Sequence, residues 1–413
     1  MYRQTKIRPK RQNNFRNSGY RNTGSRSRGG HKQDIHPSRF IKAAKPVQEI
    51  EVFVPTNKFA DFEIHPLLKS NIISRGYELP SAIQDQAIPH GLAGRDIVGI
   101  ANTGTGKTAA FAIPMLNKII NTHTDKALVV APTRELAEQI QGECRSYAKG
   151  SGINGALLIG GTSMSAQIRD LRFNPSIVIG TPGRLKDHVQ RGTLKLSDFT
   201  IVVLDEVDRM LDMGFITDIR FLLDQLSAKH QSYFFSATLD SKMAVLVQSF
   251  LNDPVTVSVK TGETCDNISQ DIVKYSGTSD KMDKLHSSLL REKEQKTLIF
   301  DSTQRSVERL SKELQSRGFD VEAIHGGKTQ GQRQRALAKF KENHINILVA
   351  TDVAARGIDV VDITHVINYS QPNTYDDYIH RIGRAGRAGR IGQALTFIDH
   401  TSYTDQPAYQ RSR

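Results

Sequence analysis

The 413-residue chain carries 56 Lys plus Arg against 43 Asp plus Glu, a formal net charge of +13. That length exceeds the ~250 to 300 residues at which one core stops growing, so two core-bearing domains are expected. Its 2 cysteines, Cys144 and Cys265, have no partners at zinc spacing, which argues against a disulfide framework or a metal cluster. No apolar run approaches the ~18 residues of a membrane helix, and the expectation is a soluble cytoplasmic protein with no membrane partner.

Residues 1–50 hold thirteen Lys plus Arg and only two acids, Asp34 and Glu49, so almost all of the net charge sits there. The Arg-, Gly- and Asn-rich mixture is too polar to bury a core and predicts a disordered basic arm. Arginines interleaved with Phe15 and Tyr20 suit RNA phosphates and exposed bases. The blander alternative is a solvated tail that keeps the protein soluble.

From Phe53 onward, short β-rich apolar runs alternate with helical stretches: Ile97–Ile100, Ala127–Val130, Ala156–Ile159, Ile177–Ile179, Ile201–Leu204, Tyr233–Phe235 and Val255–Val259. Leu136, Ile140 and Cys144, spaced by four, mark one face of an intervening helix. A polar interval over 260–267 reads as a linker. A second series follows at Ile272–Tyr275, Leu298–Phe300, Val321–Ile324, Ile347–Val349, Val366–Asn368 and Ala394–Ile398. The fold class is therefore α/β, with two similar parallel-sheet lobes over 51–259 and 268–400 and a short tail over 401–413. The unusual polar clusters come directly after the apolar runs, at the carboxyl edge of each sheet, where open α/β sheets bind ligands.

In the first lobe, Ala101-Asn102-Thr103-Gly104-Thr105-Gly106-Lys107-Thr108 follows one such run and opens an apolar helix. The glycines let backbone amides approach phosphate oxygens and the helix adds its positive end. Lys107 is expected to neutralise the β- and γ-phosphates and Thr108 to ligate Mg²⁺. After Ile201–Leu204 comes Asp205-Glu206-Val207-Asp208, adjacent carboxylates placed to hold Mg²⁺ and activate water. An acidic pair in that place also serves as a helix cap, but beside the glycine-lysine-threonine loop it points to a nucleoside triphosphatase. Gln84 offers both a donor and an acceptor to an adenine edge, and Phe59 lies far enough upstream to return over the base. In isolation these two read as a surface glutamine and a core aromatic.

Together these residues resemble the DEAD-box ATP-dependent RNA helicases of superfamily 2, from about Phe59 to about Ile398. Gln84 closes a segment similar to the family's Q motif, and Ala101–Thr108 resembles its motif I, including the leading alanine. Pro132-Thr133-Arg134-Glu135-Leu136, Gly160-Gly161 and Thr181-Pro182-Gly183-Arg184 match motifs that line the RNA path. Asp205-Glu206-Val207-Asp208 is the signature tetrapeptide with Val for Ala, and Ser236-Ala237-Thr238 matches motif III. Val207 is expected to face the buried side and leave both carboxylates in place. Ser81 and Ala82 stand where the family has Thr and Pro.

The resemblance implies two tandem RecA-like domains, ATP and Mg²⁺ as ligands, RNA as a largely sequence-independent partner with possible ribonucleoprotein partners, and a monomer. Phe59, Gln84, Thr103, Gly104, Thr105, Gly106, Lys107 and Thr108 would bind ATP, with Gly357 and Asp359 reaching it from the second lobe. Lys107, Asp205, Glu206, Arg384 and Arg387 would be catalytic, and Thr108 and Asp205 would hold Mg²⁺, partly through water. RNA would meet Pro132, Thr133, Arg134, Gly161, Thr181, Pro182, Gly183 and Arg184 of the first lobe. On the second it would meet Ser302, Arg333, Thr351 and Asp352. Asp208, Ser236, Thr238, His380 and Arg381 would couple the two sites.

The expected activity is RNA-stimulated hydrolysis of ATP that unwinds short RNA duplexes or remodels RNA–protein complexes. One rival is a DNA translocase of the same superfamily, disfavoured by the glutamine-type adenine reader and the short C-terminus. The other is a binding protein that uses ATP only to clamp RNA.

Overall fold

Alternate residues of the inner strands bury on opposite faces of a sheet, which is why those strands read as unbroken apolar runs rather than as polar/apolar alternation. The computed structural model describes residues 35–44, 53–102, 104–259, 267–291, 295–355, 360, 362–386 and 390–400. Thirteen strands are present among them: β1 Ile97–Ala101, β2 Ala127–Val130, β3 Gly155–Leu158, β4 Ile177–Gly180, β5 Ile201–Leu204, β6 Gln231–Ser236, β7 Val255–Val259, β8 Ile268–Tyr275, β9 Thr297–Phe300, β10 Val321–Ile324, β11 Ile347–Ala350, β12 His365–Asn368 and β13 Gly392–Asp399. They form two parallel sheets, one ordered β3-β4-β2-β5-β6-β1-β7 and the other β10-β11-β9-β12-β13-β8.

In the first sheet Ile97, Val129, Ile179, Val203 and Phe235 bury against one helical layer. Their neighbours Val98, Leu128, Val178, Val202 and Phe234 bury against the other. Each such fully buried aliphatic contributes about 1.5 to 3 kcal/mol over the exposed state. Val207 is fully buried in the second of these layers, on the apolar side of its turn as expected.

The second lobe departs from expectation at one place. Residues 35–44 belong to the stretch read as a disordered arm, yet they form a 3-10 turn over Pro37–Phe40, and Phe40 is buried in the core of the second sheet. Lys42 also bridges Gln270 of edge strand β8 in antiparallel sense. Ile35, Phe40 and Ile41 supply the apolar content that the composition of the arm as a whole concealed. Arm residues 1–34 and 45–50, linker residues 260–266 and tail 401–413 lie outside the described residues. No helix among the described residues is long and apolar enough to cross a membrane.

Candidate functional site: a cavity between the two sheets

The carboxyl ends of both sheets face one another, and a cavity of about 420 Å³ opens between them. The first lobe lines it with Gly104, Thr105, Gly106, Lys107 and Thr108 after β1, and with Asp205 and Glu206 after β5. The second lobe contributes Arg384. The expected phosphate loop, acidic pair and arginine thus meet in one enclosure.

The loop folds as it does because Gly104 and Gly106 adopt φ values of 84° and 92°, left-handed backbone that only glycine takes at low cost. Gly106 caps the helix Lys107–Thr122 at its N-terminus, which aims backbone amides and the positive helix end into the cavity. The Lys107 ammonium is buried and donates to the Ala101 carbonyl at 2.7 Å. Gln84 is held against the loop: its side-chain oxygen accepts the Ser81 amide at 2.9 Å and its nitrogen donates to the Gly106 carbonyl at 3.0 Å. The Ser81 hydroxyl donates to the Thr105 carbonyl at 2.7 Å, so this side chain also holds the loop.

Phe59 does not face the cavity. Its ring is buried and stands edge-on to Tyr77, centroids 6.2 Å apart, and Tyr77 lines the cavity in its place. Leu136, Gln139, Glu143 and Tyr147 complete that wall. Sequence reasoning missed all five. Tyr77 directly follows Gly76 in the segment that suggested Gln84, and Leu136 and Tyr147 lie on the helix whose four-residue spacing was visible.

The acidic pair sits in two different electrostatic settings. Burial pushes the Asp205 carboxyl up to about 7, with Lys107 pulling it down and Glu206 adding to the rise. Burial acts on Glu206 in the same direction, but Arg209, Lys107 and Arg384 outweigh it and hold this carboxyl below the ordinary range. Glu206 is ion-paired with Arg209, and its own backbone is left-handed at φ 52°. Such strain in a non-glycine residue is tolerated where the surroundings fix it, commonly at active sites. Asp208 accepts hydrogen bonds from the Ala237 amide at 3.0 Å and the Thr238 hydroxyl at 3.5 Å, and its own amide donates to Ser236 at 3.3 Å. The expected coupling residues of the first lobe are therefore in direct contact.

Asp205 and Thr108 share the cavity as hard oxygen donors, the donor type Mg²⁺ takes alongside substrate phosphates and water. Among the described residues no group of three or more His, Cys, Asp and Glu gathers for a metal.

Along the adjoining edge, the Arg134 guanidinium lies against Gly160 and Gly161, where an added Cβ would clash with it. Arg184 donates to the Gln167 side chain at 3.1 Å, and His188, fully buried, shares that oxygen at 3.0 Å. Burial, with Arg184 nearby, lowers the His188 pKa and favours the neutral ring. Gln167 also donates to the Ile159 carbonyl at 2.9 Å, tying the glycine pair to the Thr181–Arg184 turn. It was not foreseen, and its polar type on an otherwise unremarkable helix gave no signal. Pro132 and Thr133 are buried at the start of the helix that carries Arg134, and Pro182 and Gly183 open the one that carries Arg184.

Two second-lobe residues expected at RNA have other partners. Arg333 is buried and ion-paired with Glu135 of the first lobe at 2.7 Å. The nearby Gln330 and Gln334 donate to Glu138 at 3.0 and 2.9 Å. Asp352 forms a two-point ion pair with Arg381, at 2.6 and 2.8 Å. Arg381 also donates to Asn368 and to the Ser370 carbonyl, so the pair joins the loop after β11 to the loop after β12. Ser302 is exposed after β9, Thr351 is buried after β11, and His380 stands beside Arg209 and Arg384. Thr103, Gly357, Asp359 and Arg387 lie outside the described residues.

Residues 81–246 match the DEAD/DEAH box helicase family and residues 280–389 the helicase conserved C-terminal domain. The chain is 43% identical over 343 residues to the ATP-dependent RNA helicase CshA of Listeria monocytogenes, covering 83% of this chain and 66% of that protein. It is 44% identical over 345 residues to the DEAD-box ATP-dependent RNA helicase CshA of Bacillus licheniformis, covering 83% and 71%. It thus spans about two thirds of the length of these relatives. Among solved structures it resembles S. cerevisiae Dbp5 bound to RNA and ADP BeF3, with 30% identity, a TM-score of 0.73, and coverage of 83% of this chain and 89% of that one. With both lobes matched and relatives above 40% identity across most of its length, the chain belongs to the DEAD-box family of ATP-dependent RNA helicases.

Proposed function

We propose that this chain hydrolyses ATP between its two lobes under stimulation by RNA, and uses the closing of the lobes to separate short RNA duplexes or to remodel RNA–protein complexes. The observation that carries the reading is the presence of Arg384 from the second lobe in the cavity that holds Lys107, Asp205 and Glu206 from the first. A site whose parts come from two bodies is complete only when they meet, so hydrolysis and closure are one event.

In this reading the base enters beside Tyr77 and Gln84, and the phosphates lie on the Gly104–Thr108 amides. Lys107 leaves the Ala101 carbonyl for the β- and γ-phosphate oxygens. Glu206, kept ionised by its cationic neighbours, orients a water and takes its proton as the water oxygen bonds to the γ-phosphorus. The bond from that phosphorus to the bridging oxygen breaks, giving ADP and inorganic phosphate. Such transfers have loose transition states, so positioning and charge matter more than a strong base. Arg384, with Arg387, balances charge on the transferring group, a contribution worth about 10³ to 10⁵ in rate in comparable systems. Mg²⁺, which Thr108 and Asp205 would hold, would supply positive charge to offset that of the phosphates.

Single-stranded RNA lies along the carboxyl edges, near Arg134, Gly161 and Thr181–Arg184 on one lobe and Ser302 and Thr351 on the other. Contacts to phosphate and 2′-hydroxyl give RNA preference with little sequence readout. Both ligands favour the closed form, so each strengthens the other by reciprocal linkage. The basic N-terminal arm adds phosphate contacts, and the protein works as a cytoplasmic monomer.

The test is ATP hydrolysis with no nucleic acid, single-stranded RNA or single-stranded DNA, beside a strand-separation assay on a short RNA duplex. RNA-selective stimulation with separation is expected. Equal stimulation by DNA supports the translocase reading, and ATP-dependent retention on single strands without separation supports the clamp.

A further inference from the structure

The segment 35–44 enters the chain before the first lobe and docks on the second. Its 3-10 turn starts at His36, whose ring accepts the Ser38 amide, and it buries Phe40 completely. The Phe40 ring stands edge-on to Tyr378 with centroids 4.7 Å apart, and the Arg39 guanidinium lies 3.7 Å over the Tyr375 ring. Lys42 and Gln270 exchange both backbone hydrogen bonds, at 3.0 and 2.8 Å, along edge strand β8. The Tyr378 hydroxyl closes the arrangement by donating to the Gln270 side chain at 3.0 Å. One short peptide therefore grips both an edge strand and the helix Tyr375–Ile382.

That helix delivers the second lobe's share of the site. It carries His380 and Arg381, and the turn that follows it puts Arg384 in the cavity. Tyr375, Tyr378 and Ile382 lie on one face by their spacing of three and four, and the segment covers that face with an aromatic contact and a cation stacked on a ring. We propose that Phe40 and Arg39 are positioning residues: they set the depth and roll of this helix and so the aim of Arg384. The second lobe's catalytic contribution thereby depends on a peptide that precedes the first lobe in sequence. This rests on the role given to Arg384 above and extends it to residues outside the two helicase domains.

The test uses full-length Phe40→Ala, Phe40→Leu, Arg39→Ala and Arg384→Ala. For each, kcat and KM for RNA-stimulated hydrolysis are measured per folded molecule, with amide hydrogen exchange over 375–386. A misplacement on the scale of an ångström costs up to about a hundredfold in rate, so Phe40→Ala is expected to lower kcat by roughly ten- to a hundredfold. KM for ATP should stay within about twofold, because the base and phosphate loop belong to the first lobe. Phe40→Leu should restore most of the rate. Arg39→Ala removes an exposed group and no core volume, so it leaves the core of the lobe intact; it should lower kcat by ~2- to 5-fold. Exchange over the helix should quicken in both Phe40→Ala and Arg39→Ala. Wild-type kcat in both variants, with Arg384→Ala inactive, would overturn this proposal alone. Wild-type hydrolysis in Arg384→Ala would remove the reading of the cavity and this proposal with it.

Discussion

Arg333 and Glu135 meet across the cleft at 2.7 Å, with only 7% and 5% of their side chains exposed. Burial raises the Glu135 pKa although Arg333 opposes it, and burial likewise lowers that of Arg333. The pair is thus costly to assemble and costlier to break. Its partners come from different lobes, so each charge regains water when the lobes part, and the penalty for removing one falls on the closed form. Glu135→Gln is expected to weaken closure by about 2–5 kcal/mol. Apparent RNA affinity in the presence of ATP should fall at least tenfold while ATP binding without RNA stays unchanged. Titration of RNA-stimulated hydrolysis checks it, and an unshifted curve would show that the pair does not set closure.

Lys107→Ala should abolish hydrolysis, because no other ammonium among the cavity-lining residues can reach the phosphate loop. Glu206→Gln should keep binding of ATP and RNA but stall turnover, since the amide cannot take the proton of water. Direct nucleotide binding beside turnover separates the two. Near-normal turnover in Glu206→Gln would place the proton acceptor elsewhere.

Gly161→Ala introduces a methyl group where the Arg134 guanidinium lies, at a backbone φ of 80° that disfavours any side chain. The variant should displace Arg134 and lower RNA affinity by roughly tenfold, about 1.4 kcal/mol, with RNA-independent hydrolysis unchanged. Equal affinity for RNA would mean that Arg134 does not touch the strand.

Asp352→Asn tests the ion pair with Arg381 against the expectation that Asp352 meets RNA. Leaving Arg381 buried without its carboxylate should cost about 2–5 kcal/mol of second-lobe stability, seen as earlier denaturant unfolding. A variant of wild-type stability with weakened RNA binding would return Asp352 to the RNA path.

Much of this site was legible because strands buried on both faces leave apolar runs, and the polar residues after them stand out by contrast. Lys107, Asp205 and Asp208 were visible for that reason, and Val207 was correctly assigned to the buried side. Residues that act through tertiary pairing were not. Arg333 was expected at RNA and nothing in the sequence put Glu135 opposite it, and Asp352, also expected at RNA, gave no sign of the Arg381 it holds from the helix Tyr375–Ile382. Tyr77 displaced Phe59 from the cavity wall because both are aromatic and only packing decides which is inside. Phe40 was hidden by the basic composition around it, which dilutes a short apolar anchor below the level at which patterning reports it.

One triphosphate shared by two bodies that close on RNA can be measured directly, by fluorescence energy transfer between a dye on the exposed side of each lobe. A marked shortening is expected with RNA and a non-hydrolysable ATP analogue together, with little change from either alone. The same distance in all four conditions would contradict the account.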